Sequence, residues 1–334
     1  MTIRDVAARA GVSPATVSRV FSQPDAVAPE TRQKVLTAAE ELRYTPNPVA
    51  RSLARRRTGN LGIVVPDIAN SFSAAIIKAV QQEARRDGYA LFVTASDESV
   101  DDEEHSSRAL APQVDGLLLA SPVASDASLR ELAGIVPVVV TDRLADAVPA
   151  VLTEAGQATG RAAEHLYALG HRTVVYLAGP DNYSDRNRRA GLQAACARLG
   201  LEPVVLGPFP GRFASGVRAA DVVLAAGATA VIAFNDDIAA GLVNRFADRG
   251  VRVPDDVSVV GHDDTALAEM VTPRLTTIHI PAAAAGATAV RMLVGLIQGH
   301  NGAPRRCELP GELIVRRSTG PAPAQPVGGT SSTT

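Results

Sequence analysis

Thr2-Ile-Arg-Asp-Val-Ala-Ala-Arg-Ala-Gly-Val-Ser-Pro-Ala-Thr-Val-Ser-Arg-Val20 opens the chain with two short amphipathic segments divided by Ala10-Gly-Val-Ser13. Gly11 supplies the backbone freedom a tight turn needs, Ser13 has the side chain to cap a following helix, and Pro14 occupies a first helical position, where a missing N–H is no loss. The spacing predicts one helix burying Val6, Ala7 and Ala10 and a second burying Val17, Val20 and Phe21. Neither face is closed by the other alone. A third helix, from about Pro29 to Leu42, is predicted to complete the core with Val35, Leu36, Ala39 and Leu42.

A helix-turn-helix lays its second helix in the DNA major groove with N-terminal side chains at base edges, which here selects Pro14, Ala15, Thr16 and Arg19. Arg19 can bond guanine with both arms of its guanidinium. The hydroxyls of Thr16, Ser18, Thr2 and Thr31 suit phosphate oxygens, while Pro14 and Ala15 offer apolar contact, for instance to a thymine methyl. Charge agrees with this placement. The 334 residues carry a net charge of -2, but residues 1–58 hold ten Lys and Arg against five Asp and Glu, so the basic end is the one suited to nucleic acid.

With 46% hydrophobic residues the chain is expected to form two or three compact domains. From Leu61 the pattern changes to short β-rich runs followed by longer amphipathic helices. Runs 62–66, 90–94, 116–120 and 138–141 read as four strands of a buried parallel sheet; runs 174–178, 203–206, 230–234 and 257–261 repeat the pattern, alternating with helices near 156–169, 185–199, 214–226 and 236–249. The fold class is therefore α/β, two doubly wound lobes with a ligand cleft between them, behind a three-helix domain. Polar residues fall just after strands: Asp67, Asp142-Arg143, Asn235-Asp236 and Asp263-Asp264. From Gly320 the chain is Pro-, Gly- and Ser/Thr-rich and reads as disordered.

Several classes are disfavoured. Cys196 and Cys307 have no metal-ligand spacing and read as plain thiols, and no apolar run approaches the ~20 residues of a membrane span. The start of the chain lacks the apolar run of a secretory signal, so a cytoplasmic protein is expected. The six histidines are scattered, and no nucleotide fingerprint, phosphate loop or nucleophile elbow is present, so neither catalysis, cofactor nor metal is expected.

The residues Thr2-Ile-x-Asp5-Val6-Ala7-x-x-Ala10-Gly11-Val12-Ser13-x-Ala15-Thr16-Val17-Ser18-Arg19-Val20, continued by Thr31-Arg32, Leu42-x-Tyr44-x-Pro46-Asn47 and Val49-Ala50-Arg51-Ser52-Leu53, resemble the signature of the lactose/galactose repressor (LacI/GalR) family. That resemblance implies a helix-turn-helix domain at 1–46 and a hinge helix with linker at 47–58, followed by a periplasmic-binding-protein-like region. Its first lobe would be 59–155 plus 282–310 and its second 156–281 plus 311–318, with a disordered tail at 319–334. It implies a homodimer on palindromic double-stranded operator DNA, with two hinge helices in the minor groove. Asn47 would meet a phosphate, Leu53 would wedge open the central base step, and Arg51 would lie beside it. Ala54 stands where purine- and ribose-type members carry lysine.

For the small-molecule effector, a sugar or else a nucleoside, the resemblance points to Asp142, Ser184, Arg188, Asn235 and Asp263. It places Phe213 as the aromatic covering the ligand and Phe72 at the pocket edge. Release of a carbohydrate operon by the effector is the first expectation and corepression the second. A transport-type binding protein is the rival from another class. The tail 320–334 contains no leucine for a tetramerising heptad helix, which favours a dimer.

Overall fold

The computed structural model describes residues 1–22, 24–44, 57–300 and 305–324. They fall into two compact units, Met1–Thr58 and Gly59–Thr334.

The first unit contains helices α1 (Ile3–Ala10), α2 (Pro14–Ser22) and α3 (Pro29–Glu41). Gly11 ends α1 in the left-handed region at φ 67°, where its N–H reaches the carbonyls of Ala7 and Ala8. Ser13 then caps α2, its Oγ accepting from Thr16 N at 3.1 Å. The three helices share a core of Val6, Ala7, Val17, Val20, Val35, Ala38 and Ala39, edged by Phe21 and Tyr44, whose ring centroids lie 6.0 Å apart. Leu36, expected in this core, is 36% exposed, and Ala38 takes its place. One helical step rotates a side chain by about 100°, which carries Leu36 off the face that Val35 and Ala39 occupy.

The second unit alternates strands and helices: β1 (Asn60–Val65), α4 (Ser71–Arg86), β2 (Ala90–Ala95), α5 (Val100–Leu110), β3 (Gly116–Ala120), α6 (Asp126–Ala133), β4 (Val138–Thr141) and β5 (Ala150–Glu154). It continues with α7 (Ala155–Ala168), β6 (Val174–Leu177), α8 (Tyr183–Leu199), β7 (Val204–Leu206), α9 (Phe213–Ala225), β8 (Ala230–Ala233), α10 (Asp236–Asp248), β9 (Ser258–Asp263), α11 (Ala266–Met270), β10 (Thr276–His279), α12 (Ala282–Ile297), β11 (Arg306–Pro310) and β12 (Glu312–Ile314). Two six-stranded sheets result, ordered β11-β5-β4-β3-β1-β2 and β12-β10-β9-β8-β6-β7. All pairings are parallel except β10 with β12.

Each sheet is the floor of one lobe. The chain passes between lobes after β5, after β10 and between β11 and β12, with α12 returning to pack on α4 of the first lobe. In both sheets the strand order reverses beside the first strand: β1 lies between β2 and β3, and β6 between β7 and β8. Helices leaving such a strand pair diverge to opposite faces and open a crevice at the strands' carboxyl ends.

Central strands β3, β4, β6 and β8 are buried throughout. The edge strand β2, expected to be buried, leaves Phe92 and Val93 each 39% exposed, because it has a neighbour on one side only. Edge strand β7 likewise exposes Val204 and Val205. Close packing of α7 on α8 requires glycine: a Cβ on Gly191 would overlap the carbonyl of Gly156. Residues 319–324 depart from the expected disordered tail. Gly320 is buried, its carbonyl accepting from Ser258 Oγ, and Ala322 N donates to Leu169 O at 2.9 Å, so this stretch is tied down by backbone hydrogen bonds that composition does not register.

Candidate functional site

In the first unit, α2 presents Pro14, Ala15, Ser18 and Arg19 as exposed side chains, with Thr16 half-buried. Val17 and Val20 anchor the opposite face, so the exposed face is held in one orientation by the core. Thr16 and Ser13 hydroxyls share a hydrogen bond of 2.9 Å. Two other arginines are engaged, Arg9 with Glu41 at 2.6 Å and Arg32 with Asp25 at 3.6 Å. Arg19, by contrast, pairs with no carboxylate among the described residues, which leaves its guanidinium free for a base edge. Thr2 is exposed and starts α1, its N–H and hydroxyl both donating to Asp5 Oδ2, which lowers the Asp5 pKa. Thr31 is half-buried in the first turn of α3. Asn47, Arg51, Leu53 and Ala54 lie outside the described residues.

In the second unit a narrow cleft, with a cavity volume of about 60 Å³ and an open mouth, runs between the carboxyl ends of the two sheets. Phe72, Asp142, Ser184, Arg188, Asn235 and Asp263 all line it. Phe213 does not. As the first residue of α9 it points outward, 43% exposed, and the ring beside the polar cluster comes instead from Phe234 at the end of β8. A larger hollow on the first lobe, lined by residues such as Ile135, Pro149 and Leu296, lacks such convergent polar groups.

Arg188 organises the cleft floor. Its guanidinium stacks 4.5 Å from the Phe234 ring centroid, donates to Phe234 O, and places Nη2 3.0 Å from Asp263 Oδ1. The pair is almost fully buried, and Arg188 Nε has no partner among the described residues. Burial raises the Asp263 pKa, against the opposing pull of Arg188. Asp142 faces this group from the first lobe, with Oδ1 accepting from Thr153 Oγ1 at 2.6 Å and Thr153 N at 3.2 Å; burial raises its pKa too. Both aspartates hold left-handed backbone, Asp142 at φ 48° and Asp263 at φ 97°. Such strain persists only where surrounding structure enforces it, and it clusters at ligand sites. Asn235 caps α10 through Ile238 N at 2.9 Å and gives its amide to Gly211 O at 2.8 Å.

Other lining residues carry no motif of their own: Asn70, Glu98, Asn182 and Arg212. Asp67 also lines the cleft, and its place just after β1 is its only signal in the sequence. Asp264 braces the adjoining loop, binding Arg316 at 2.6 Å and His279 at 3.0 Å. The buried His262 is held by Ala233 O and Thr159 Oγ1, and burial keeps it neutral.

Behind the cleft, Asp236 is fully buried and accepts from Thr277 Oγ1, Thr265 N and Thr265 Oγ1; burial, helped by the nearby Asp263 charge, pushes its pKa up to about 7. An acid raised on folding binds more protons native than unfolded between about pH 4 and pH 7, so its contribution to stability falls as pH rises through that window. Asp236→Asn removes this term. The variant is expected to gain about 2–3 kcal/mol on the parent between pH 5 and pH 8 in urea unfolding, whatever fixed offset the lost Thr265 contact adds.

Comparison with known proteins agrees with both units. Residues 2–47 match the model for bacterial regulatory proteins of the lacI family, and residues 163–319 match the periplasmic binding protein-like domain. The HTH-type transcriptional regulator DegA of Bacillus subtilis is 34% identical, over 96% of this chain and 98% of its own length. The chain belongs to the LacI family. It is a DNA-binding transcriptional regulator and not an enzyme. The structure of the lac repressor dimer bound to operator and an anti-inducer superposes with a TM-score of 0.86 at 32% identity, covering 96% of this chain and 99% of that one. The complex of the regulator CelR with cellobiose gives a TM-score of 0.70 at 32% identity, over 95% and 99%.

Among the described residues no helix is long and apolar enough to cross a membrane.

Proposed function

We propose that this regulator represses a carbohydrate-utilisation operon and is released from a palindromic operator when a small sugar binds the cleft between its lobes. The observation that carries the proposal is the cleft's polar set. Asp142 and the Asp263–Arg188 pair supply acceptors and donors suited to adjacent hydroxyls, and Phe72 and Phe234 supply ring faces. Both cleft arginines already hold carboxylates, Arg188 with Asp263 and Arg212 with Asp67, while Asp142 and Glu98 face the cleft and make no direct ion pair among the described residues. An anionic ligand would meet net negative charge there, which favours an uncharged polyol. The relative bound to cellobiose supports the same class.

DNA recognition in this reading falls to Arg19 at a base edge, with Thr2, Thr16, Ser18 and Thr31 at phosphates and Pro14 and Ala15 in apolar contact. In the same reading Asn47 meets a phosphate, and Leu53, with Arg51 and Ala54 beside it, belongs to the hinge expected to enter the minor groove. A homodimer sets two copies of α2 one helical turn apart. The exposed apolar edges β2 and β7 are compatible with it, since an exposed apolar edge strand is a template for pairing with another chain. The protein acts in the cytoplasm, on the nucleoid when DNA-bound.

A thermal-shift screen of neutral sugars and nucleosides, repeated with operator DNA selected from a random pool, tests the proposal. A sugar that raises the melting temperature and weakens operator binding, measured by fluorescence anisotropy, is expected. A nucleoside that tightens DNA binding would replace induction with corepression. Leu53→Gly is expected to reduce both operator affinity and DNA bending; unchanged values would remove the hinge from the reading.

A further inference from the structure

The mouth of the cleft is bridged by Arg212. It immediately precedes α9 and so belongs to the second lobe, yet its Nε lies 3.0 Å from Asp67 Oδ2 and its Nη2 3.5 Å from Asp97 Oδ1, both in the first lobe. Asn70 of the first lobe donates to Gly211 O at 3.4 Å. Two neighbouring residues of the second lobe are thus tied across the gap by a guanidinium and an amide.

Nothing in the local fold calls for arginine here. The residue sits at the N-cap of α9, its side chain makes no capping bond, and the positive end of a helix disfavours a cation. Compensation comes from the other lobe. Asp67, Asp97 and Glu98 surround the guanidinium, and Glu98 lines the cleft and feels the Arg212 charge. Asp97 and Glu98 both hold left-handed backbone, at φ 47° and 61°, a conformation that needs support from outside the loop.

We infer that Arg212 is a positioning residue, a latch that holds the lobes closed around the effector and makes closure depend on ionic strength. The inference rests on the effector-cleft reading for its consequence: a ligand that prefers closed lobes binds more tightly when the latch is intact. The guanidinium is 55% exposed and Asp97 73%, so the effect is modest, about a five-fold change in the ratio of open to closed lobes. It is also screened by salt over about 10 Å at 0.1 M.

The test uses the full chain with Cys307→Ser, leaving the buried Cys196 in place, and spin labels at Val100→Cys on α5 and Val222→Cys on α9, positions 45% and 50% exposed. Interlabel distances are measured by pulsed electron resonance in 50 mM and 1 M NaCl. With Arg212 present, a longer-distance population is expected to grow several-fold at high salt. With Arg212→Met that population is expected to be raised about five-fold in low salt and to ignore added salt, while Arg212→Lys retains the salt response. Identical distributions and salt responses in the parent and Arg212→Met would overturn the latch. No effector is needed, so a failed sugar screen leaves this result readable, and a failed latch leaves the effector reading intact.

Discussion

Arg188→Met is expected to lower folding stability by about 3–5 kcal/mol near neutral pH and to abolish the response to effector. Arg188 is 5% exposed and Asp263 7%, so removing the guanidinium strands a buried carboxylate without its counter-charge. It also deprives Phe234 O of its donor. Asp263 has one escape, to take up a proton. Burial already raises its pKa against the pull of Arg188, and without Arg188 it rises further. In the variant the native state then binds a proton that the unfolded chain releases, so the variant's deficit must shrink as pH falls. Urea unfolding of both proteins at pH 8 and pH 5 checks this. Equal deficits at the two values would place the loss in packing and not in Asp263.

How much of this was readable beforehand follows from which forces are local. The turn Ala10-Gly-Val-Ser13 carries its own backbone chemistry, so the end of α1 and the start of α2 could be read from it. Strand runs such as 116–120 and 230–233 announce burial on both faces by unbroken apolar sequence. Strands β11 and β12 are not legible in the sequence because they alternate or expose their side chains, so only their pairing with β5 and β10 identifies them. In the cleft, the residues implied by family resemblance came together except Phe213. Arg212 and Phe234 did not announce themselves, since one is defined by carboxylates more than a hundred positions away in sequence and the other by the arginine stacked upon it.

Arg19→Met is expected to reduce discrimination at one base pair of each half-site by about 1–3 kcal/mol, and to do so twice on a symmetric operator bound by a dimer. Its neighbours on α2 are short hydroxyl or apolar side chains, so Arg19 alone on this exposed face can span two acceptors on guanine. Methionine keeps much of the length and the helix propensity, and Arg19 makes no ion pair among the described residues, so stability should change by less than about 0.5 kcal/mol. Two roles for the same charge remain separable by salt. If Arg19 reads a base, the variant loses affinity for the chosen operator far more than for scrambled DNA, and the slope of log affinity against log salt is nearly unchanged. Were it instead to neutralise a phosphate, both DNAs would lose affinity together and the slope would fall by about 0.9 for each contact removed. Titration of operator and scrambled duplexes between 50 and 300 mM salt therefore decides whether sequence reading rests on Arg19 or is spread over the shape and bending of the DNA.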